Sequence, residues 1–123
     1  MKVLGSLIFI AILAVITGCV ARVSEKALIR PTQGEKLSAD RSADGRWTVR
    51  SLDLPRQDGV TIYAGNFTRP DAKAVVLYFG GNVFTISRFH QRILEIYAAH
   101  PVDVFIVDHR GYGGSTGTAA LDS

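Results

Sequence analysis

Two glycine-rich stretches of this chain carry residue types suited to a site built from backbone donors. The first is Gly80-Gly81-Asn82, and the second is DHRGYGGSTG over residues 108–117, where four glycines accompany Asp108, Arg110 and Ser115. Glycine lets a backbone approach a bound group closely and adopt positive φ. Backbone N–H groups placed in this way can stabilise a developing negative charge. For the two stretches to form one site, the neighbouring elements must bring them together.

Each glycine-rich stretch directly follows an apolar run. Residues 74–79 (AVVLYF) and 102–107 (VDVFIV) are apolar on both faces, which is typical of strands buried on both sides. Between them, residues 86–97 place apolar side chains at helical spacing, and Pro101 ends the helix. A strand–helix–strand unit predicts two parallel strands. In such sheets ligands bind at the carboxyl ends of the strands, so both stretches are expected at one edge.

An antiparallel hairpin is predicted ahead of this unit. Residues 47–54 and 60–67 both alternate apolar and polar side chains. Asp58-Gly59 between them is a strong signal for a tight turn. The order of hairpin, buried strand, helix, buried strand and glycine-rich loop predicts an α/β fold with an open sheet.

The N-terminus has the layout of a secretory signal peptide. Lys2 precedes a continuous apolar run over residues 3–16, and small residues lead to Cys19. The run is shorter than the roughly 20 residues that a membrane span needs. An uncleaved anchor helix is the alternative interpretation. We expect residues 1–18 to be removed as a signal peptide.

Cys19 is the only cysteine, which excludes a disulfide within the chain. The residues that lead to it resemble the bacterial lipobox, in which the cysteine carries a diacylglyceryl group and further acyl chains such as palmitate. Several acyl chains make a stable membrane anchor. The alternative is an isolated buried cysteine. Lipidation implies a membrane partner and a cell-envelope location. Val20, where an aspartate would retain the protein at the inner membrane, implies the outer membrane or a periplasm-facing position in a Gram-negative cell.

Residues 19–46 are predicted to be a lipid-anchored tether, ahead of a domain at residues 47–123. Charges alternate in sign here, apolar residues are few, and Pro31 and Gly34 interrupt any period. A flexible chain of this length spans roughly 25 to 30 Å. Such a tether would lift the domain clear of the membrane surface.

From residue 47 to residue 123 the chain resembles the N-terminal half of an α/β-hydrolase, of the kind grouped with serine aminopeptidases and monoglyceride lipases. VVLYFGGNV resembles the strand of that family that ends in His-Gly-Asn, and VDHRGYGGSTG resembles its Asp-x-Arg-Gly-x-Gly-x-Ser-x-Gly loop. The resemblance implies that the backbone N–H of Asn82 is an oxyanion donor, with Gly80 and Gly81 shaping the turn. Gly80 stands where histidine is commoner. A plain Gly-Gly-Asn turn is the alternative.

The second loop is expected to be structural. Residues 113–117 (GGSTG) match the pattern G-x-S-x-G, with Ser115 as its serine. A nucleophile elbow, however, needs a strand directly before the serine and a helix directly after it. The predicted strand ends at Val107, several residues too early. We therefore predict a structural role for the polar and glycine residues of the loop: Asp108, Arg110, Gly111, Gly113, Ser115 and Gly117.

Nucleic-acid binding, metal binding and a cofactor are not predicted. The net charge is only +3, and no stripe of basic residues is interleaved with aromatic residues. The three histidines, His90, His100 and His109, lack the spacing of metal ligands with a nearby acid. Each is expected to be a surface or packing residue.

The resemblance also implies what residues 1–123 lack. The family order is serine, acid and histidine, all after the second loop, so the catalytic triad is expected to be absent and this chain inactive alone. The expected fold is the N-terminal part of an α/β-hydrolase sheet, truncated before the nucleophile strand, with a bare edge at residues 74–79. One interpretation is the N-terminal fragment of a lipid-anchored serine hydrolase, whose full form takes a small acyl or peptide substrate and cleaves ester, thioester or amide bonds. The other is a non-catalytic lipoprotein remnant or binding module that keeps this part of the fold.

Overall fold

A computed structural model describes residues 24–38, 42 and 44–120 of the chain. Cys19 and the predicted signal peptide lie outside the described residues. Within those residues, no helix has the length and apolar character that crossing a membrane requires. The elements in chain order are α1 (Glu25–Leu28), β1 (Thr48–Pro55), β2 (Thr61–Thr68), β3 (Ala74–Phe79), α2 (Ile86–Tyr97) and β4 (Val102–Val107).

The predicted hairpin is confirmed by the pairing of β1 with β2. The two strands are antiparallel, and Thr48 lies opposite Thr68 at one end of the ladder. At the other end the chain turns through Gly59, whose φ of 79° is one that glycine adopts readily. The backbone N–H of Arg56 donates to the carbonyl of Val60 at 2.8 Å and closes the turn.

The predicted strand–helix–strand unit is also confirmed. β3 and β4 pair in parallel, with Phe79 opposite Val107 at their carboxyl ends. β4 pairs with β2 in the antiparallel direction, so the sheet has the order β1-β2-β4-β3. The hairpin and the parallel unit therefore share one mixed sheet, as the sequence predicts.

Helix α2 covers one face of this sheet with its apolar side. Its polar side chains at positions 88, 91, 92 and 95 are exposed, as the helical spacing predicts. The core beneath it also contains Trp47, which is fully buried just before β1. The apolar positions predicted for the helix are all in or against this core: Ile86, Phe89, Ile93, Leu94 and Tyr97.

The opposite face of β3 differs from its prediction. The sequence predicts a strand buried on both faces, yet Val75, Leu77 and Phe79 are 59%, 64% and 60% exposed. α2 covers only the face that carries Val76 and Tyr78, and no second layer lies over the other face within the described part of the chain. An apolar pattern predicts which side chains favour burial, whereas their actual burial depends on a covering layer.

Candidate functional site

The two glycine-rich stretches meet at the carboxyl ends of β3 and β4. Residues 80–83 follow β3, and residues 108–117 follow β4. Together with α1 and the residue after it, they surround an open cleft of about 430 Å³. The lining includes Leu28, Ile29, Gly81, Asn82, His109 and Tyr112.

Gly80 is buried where the chain leaves β3, and the space beside it is filled. A Cβ atom at this position would collide with the ring of Phe84. The carbonyl of Gly80 lies 2.8 Å from Nε2 of His109. Because a carbonyl only accepts, Nε2 is the donor in this hydrogen bond. His109 thereby connects the second loop to the first and fixes the peptide group between Gly80 and Gly81.

The next peptide group is fixed by a short turn. The carbonyl of Gly81 accepts a hydrogen bond from the backbone N–H of Phe84 at 3.1 Å. Val83, inside this turn, has a φ of 62°. In a trans peptide the N–H lies opposite the carbonyl, so the N–H of Asn82 points away from the turn. No acceptor for this N–H is present among the described residues.

The side chain of Asn82 connects three segments. Its Nδ2 donates to the carbonyl of Leu28 at 2.5 Å, and its Oδ1 accepts from the backbone N–H of Arg30 at 2.9 Å. The hydroxyl of Tyr112 donates to the same Oδ1 at 2.9 Å. Asn82 thus pairs with the chain on both sides of Ile29, as a backbone peptide group would, and also holds the second loop.

Asp108 is 1% exposed and organises the second loop. One carboxylate oxygen accepts from the backbone N–H of Ile86 at 2.8 Å, and the other accepts from that of Gly114 at 2.9 Å. Burial raises the pKa of Asp108, and these two hydrogen bonds oppose the rise. The carboxylate satisfies the first N–H of α2, so it connects the loop to the start of that helix. Gly113 has a φ of 53°, and a Cβ there would collide with this carboxylate.

Ser115 is buried, and its hydroxyl both donates and accepts a hydrogen bond inside the structure. It donates to the carbonyl of Asp108 at 2.7 Å and accepts from the backbone N–H of Tyr63 at 2.8 Å. The hydroxyl therefore joins β2 to the second loop. In the described part of the chain, no serine hydroxyl is hydrogen-bonded to a histidine ring.

Arg110 connects the second loop to the hairpin turn. Its Nη2 forms an ion pair with the carboxylate of Asp58. The hydrogen bond from Arg110 is the main cause that lowers the pKa of Asp58. Gly111 and Gly117, both within the loop, have φ values of 74° and 87°. The ion pair with Asp58 therefore gives Arg110 a structural role that reaches beyond its own loop.

Residues 28–37, which we call the strap, lie across both glycine-rich stretches. Gly113 donates to the carbonyl of Thr32 at 2.8 Å and accepts from the N–H of Gly34 at 3.1 Å, in a parallel bridge. Further along the strap, the N–H of Leu37 donates to the hydroxyl of Tyr63 at 2.7 Å. Lys36 pairs with Asp53 of β1 at 2.6 Å.

The strap differs from the tether predicted over residues 19–46. Charge alternation and the lack of an apolar period predict a flexible chain, with at most a short ordered patch at Leu28-Ile29. The strap is instead held by backbone hydrogen bonds to the loops, and such bonds leave no trace in an apolar pattern. The glycine-rich composition of the two loops marks them in the sequence. No comparable pattern marks the strap as the segment that bonds to them.

The three histidines lie apart from one another. Nδ1 of His90 is 2.8 Å from the carbonyl of Ile86 in the same helix, and its ring stacks on Phe67. His100 follows α2 and is exposed, while His109 holds the first loop. No group of three or more potential metal ligands occurs among the residues that the structure describes.

Two site residues are not singled out by the sequence patterns. Tyr112 lies inside the second loop, but its hydroxyl acts on the first loop through Asn82. Tyr63 falls on the apolar side of the predicted β2, whereas its hydroxyl also bonds the strap and Ser51. A tyrosine in an apolar pattern carries a polar tip that needs a partner when buried, which is the signal that could have identified both.

Comparison with solved structures identifies similar folds. The esterase Pf2001 from Pyrococcus furiosus matches in two crystal forms, each with a TM-score of 0.52, at 16% and 15% identity. These matches cover 75% and 76% of this chain, and 35% and 36% of the esterase. Carboxyl esterase 2 from the fungus Tuber melanosporum matches with a TM-score of 0.47 at 22% identity, over 79% of this chain and 32% of that one. No family model matches the chain, and no curated protein matches it.

The fold is therefore part of an α/β-hydrolase fold, with an antiparallel hairpin followed by parallel strands. The chain spans about a third of the length of the esterase that it matches. At these identities the likeness concerns the fold alone.

Proposed function

We propose that this chain supplies the oxyanion part of a lipid-anchored serine hydrolase that cleaves ester, thioester or amide bonds. The nucleophile, acid and base of the proposed enzyme come from sequence beyond residue 123. Residues 1–123 alone have no activity in this proposal. The observation that carries it is the first loop, where the N–H of Asn82 is left without an acceptor among the described residues, beside an open cleft.

The chemistry of acyl transfer explains why such a loop is useful. Attack on an acyl carbonyl places negative charge on its oxygen, and fixed backbone donors stabilise that charge without reorganising. In this fold one donor follows the third strand, and the other is the N–H after the nucleophile. The bonds at the carbonyls of Gly80 and Gly81 fix the peptide groups in advance. Asn82 is the donor in this assignment.

The anchor is the second part of the proposal. Residues 16–18 followed by Cys19 have the pattern of a lipidation site, and the apolar run before them has the pattern of a cleaved signal. Lipidation at Cys19 would attach the mature chain to a membrane of the cell envelope. The membrane is therefore the partner that we propose for the N-terminus.

A second function is favoured by a different observation. Ser115 is the only serine in the second loop, and its hydroxyl is consumed by Asp108 and Tyr63. A chain whose cleft has a backbone donor, with no serine hydroxyl bonded to a histidine among the described residues, can bind an acyl or anionic group without cleaving it. Such a chain would be a non-catalytic lipoprotein that serves as a binding module.

The DNA beyond the codon for Ser123 separates the two functions. A frame that continues into G-x-S-x-G on a strand–turn–helix, with a later Asp and His, supports the hydrolase. A confirmed stop codon, with no such sequence after it, supports the binding protein and contradicts the enzyme.

If the frame continues, two substitutions in the complete enzyme test the donor. Asn82→Pro removes the backbone N–H, and we expect kcat for a p-nitrophenyl ester to fall by about 10²- to 10³-fold. Asn82→Ala is the matched control, since it removes the same side chain and keeps the N–H. Equal losses in the two variants would show that the N–H is not the oxyanion donor.

A further inference from the structure

The strap shortens the distance between the proposed anchor and the cleft. The backbone of Leu28 and that of Arg30 are both bonded to Asn82. Only residues 20–27 therefore separate Cys19 from a point fixed at the cleft. A tether of the predicted length would leave the domain free to move away from the membrane, whereas a docked strap does not.

The reach of the intervening chain has an upper limit. Cys19 and Ser24 are five peptide units apart, which is at most about 18 Å. Helix α1, with four residues, adds about 6 Å. Leu28 therefore lies within about 24 Å of the lipidated cysteine even when the chain is fully extended. This distance is less than the thickness of one bilayer, at about 40 Å.

Exposed apolar side chains lie at or beside the cleft, which Arg110 also lines. Leu28 lines the cleft and is 54% exposed, and Val83, next to Asn82, is 42% exposed. The exposed ring of Phe79 lies with its centre 6.3 Å from that of His109, which also lines the cleft. Exposed apolar side chains grouped around a cleft are typical of a surface that contacts a partner or a membrane.

The far end of the domain provides a reference position. α2 begins beside the cleft, where Ile86 is bonded to Asp108, and ends where Arg69 donates to the carbonyl of Ala98. Ile96, near that far end, is 60% exposed. It matches Leu28 in size and exposure but lies away from the cleft.

We infer that the anchor and the strap together hold the mouth of the cleft against the bilayer, so that the acyl groups entering the cleft are those of membrane glycerolipids. This inference rests on the lipid anchor and the acyl site of the proposed function, and it adds the substrate class. A water-soluble ester would have to reach a cleft that faces the membrane. A lipid acyl ester is already at its mouth.

The test uses the full chain, lipidated in bacterial cells and reconstituted into phosphatidylethanolamine–phosphatidylglycerol vesicles that carry nitroxide groups on their acyl chains. Leu28→Cys and the control Ile96→Cys are labelled with a fluorescent maleimide. The lipid on Cys19 blocks the natural thiol, so each variant has one reactive thiol. Leu28 is held through its backbone carbonyl, so the substitution keeps the bond to Asn82. We expect acyl-chain nitroxides to quench the label at position 28 several-fold more than the label at position 96.

Each other outcome overturns a separate statement. Equal quenching at both positions, in protein that floats with the vesicles, would overturn the inference and leave the anchor intact. Protein that lacks the mass of the lipid and does not float would overturn the anchor, and the inference with it. A reading frame without a nucleophile would remove the hydrolysis step, and it would not alter the quenching that tests the orientation of the cleft.

Discussion

At the scale of single residues, the second loop is organised around one buried carboxylate. Asp108 reaches the start of α2 and the N–H of Gly114, and it occupies the space that a side chain at position 113 would need. The positive φ of Gly113 adds a backbone requirement to this steric one. A substitution at Gly113 is therefore expected to lower the free energy of unfolding by more than the backbone requirement alone would.

Gly113→Ala tests this prediction against Gly59→Ala. Gly59 has a φ of 79°, and nothing lies within 4 Å of the position that a Cβ would take there, so its substitution should cost about 1–2 kcal/mol for the backbone. At Gly113 we expect at least about 2 kcal/mol more, because the Asp108 carboxylate must also give up hydrogen bonds. Urea unfolding of both variants measures the difference. Similar losses in both would show that the carboxylate moves aside freely.

At the scale of elements, the strap joins loops that the sheet alone does not connect. It bonds the first loop through Asn82, the second through Gly113 and the hairpin through Tyr63. The ring of Tyr63 is fully buried. Its hydroxyl is hydrogen-bonded to the N–H of Leu37 and to the hydroxyl of Ser51. Removing this one atom should loosen the end of the strap without changing the apolar packing.

Tyr63→Phe is therefore expected to cost about 1–2 kcal/mol of stability, since it leaves the N–H of Leu37 without an acceptor. It should also speed cleavage by trypsin after Lys36, which lies within the strap. Tyr78→Phe is the control, because Tyr78 packs against the same core and its hydroxyl has no hydrogen bond among the described residues. Unchanged cleavage after Lys36 in Tyr63→Phe would show that the strap is held by its other bonds alone.

At the scale of the whole molecule, the sheet is covered on one face only, as far as the described residues extend. β3 pairs with β4 on one side, and it has no strand on the other side within the same part of the chain. Its uncovered face presents Val75, Leu77 and Phe79 to solvent. An apolar strand with unpaired N–H and carbonyl groups is a template for pairing with another chain.

We expect the chain to self-associate through β3, and Leu77→Lys to weaken that association. A lysine in the middle of an exposed edge strand opposes edge-to-edge pairing. Ile96→Lys is the matched control, because Ile96 is 60% exposed on α2 and Leu77 is 64% exposed on β3. Sedimentation velocity over a range of concentrations measures the effect. Association that responds equally to both substitutions would indicate general apolar adhesion instead of strand pairing.

The sequence predicts the elements more fully than the contacts among their ends. Alternation locates β1 and β2, helical spacing locates α2, and continuous apolar runs locate β3 and β4, because each of these patterns follows from how an element is buried. The strap escapes such patterns, since its bonds run through backbone groups of Thr32 and Gly34 that any residue has. The ion pair of Arg110 with Asp58 is also not predicted by these patterns. Its partners are 52 residues apart, and nothing in either stretch identifies the other as its partner.

Asn82 links the docking of the strap to the binding of an anion in the cleft, two events that would otherwise be independent. Its side chain holds the strap, and the residue itself lines the cleft, where we propose that its backbone N–H is a donor. By thermodynamic linkage, any anion that binds better while the strap is docked must also strengthen the docking by the same factor. Any force that pulls the strap away from Asn82 would then weaken the binding of such an anion. Residue 82 would couple the position of the strap to the occupancy of the cleft.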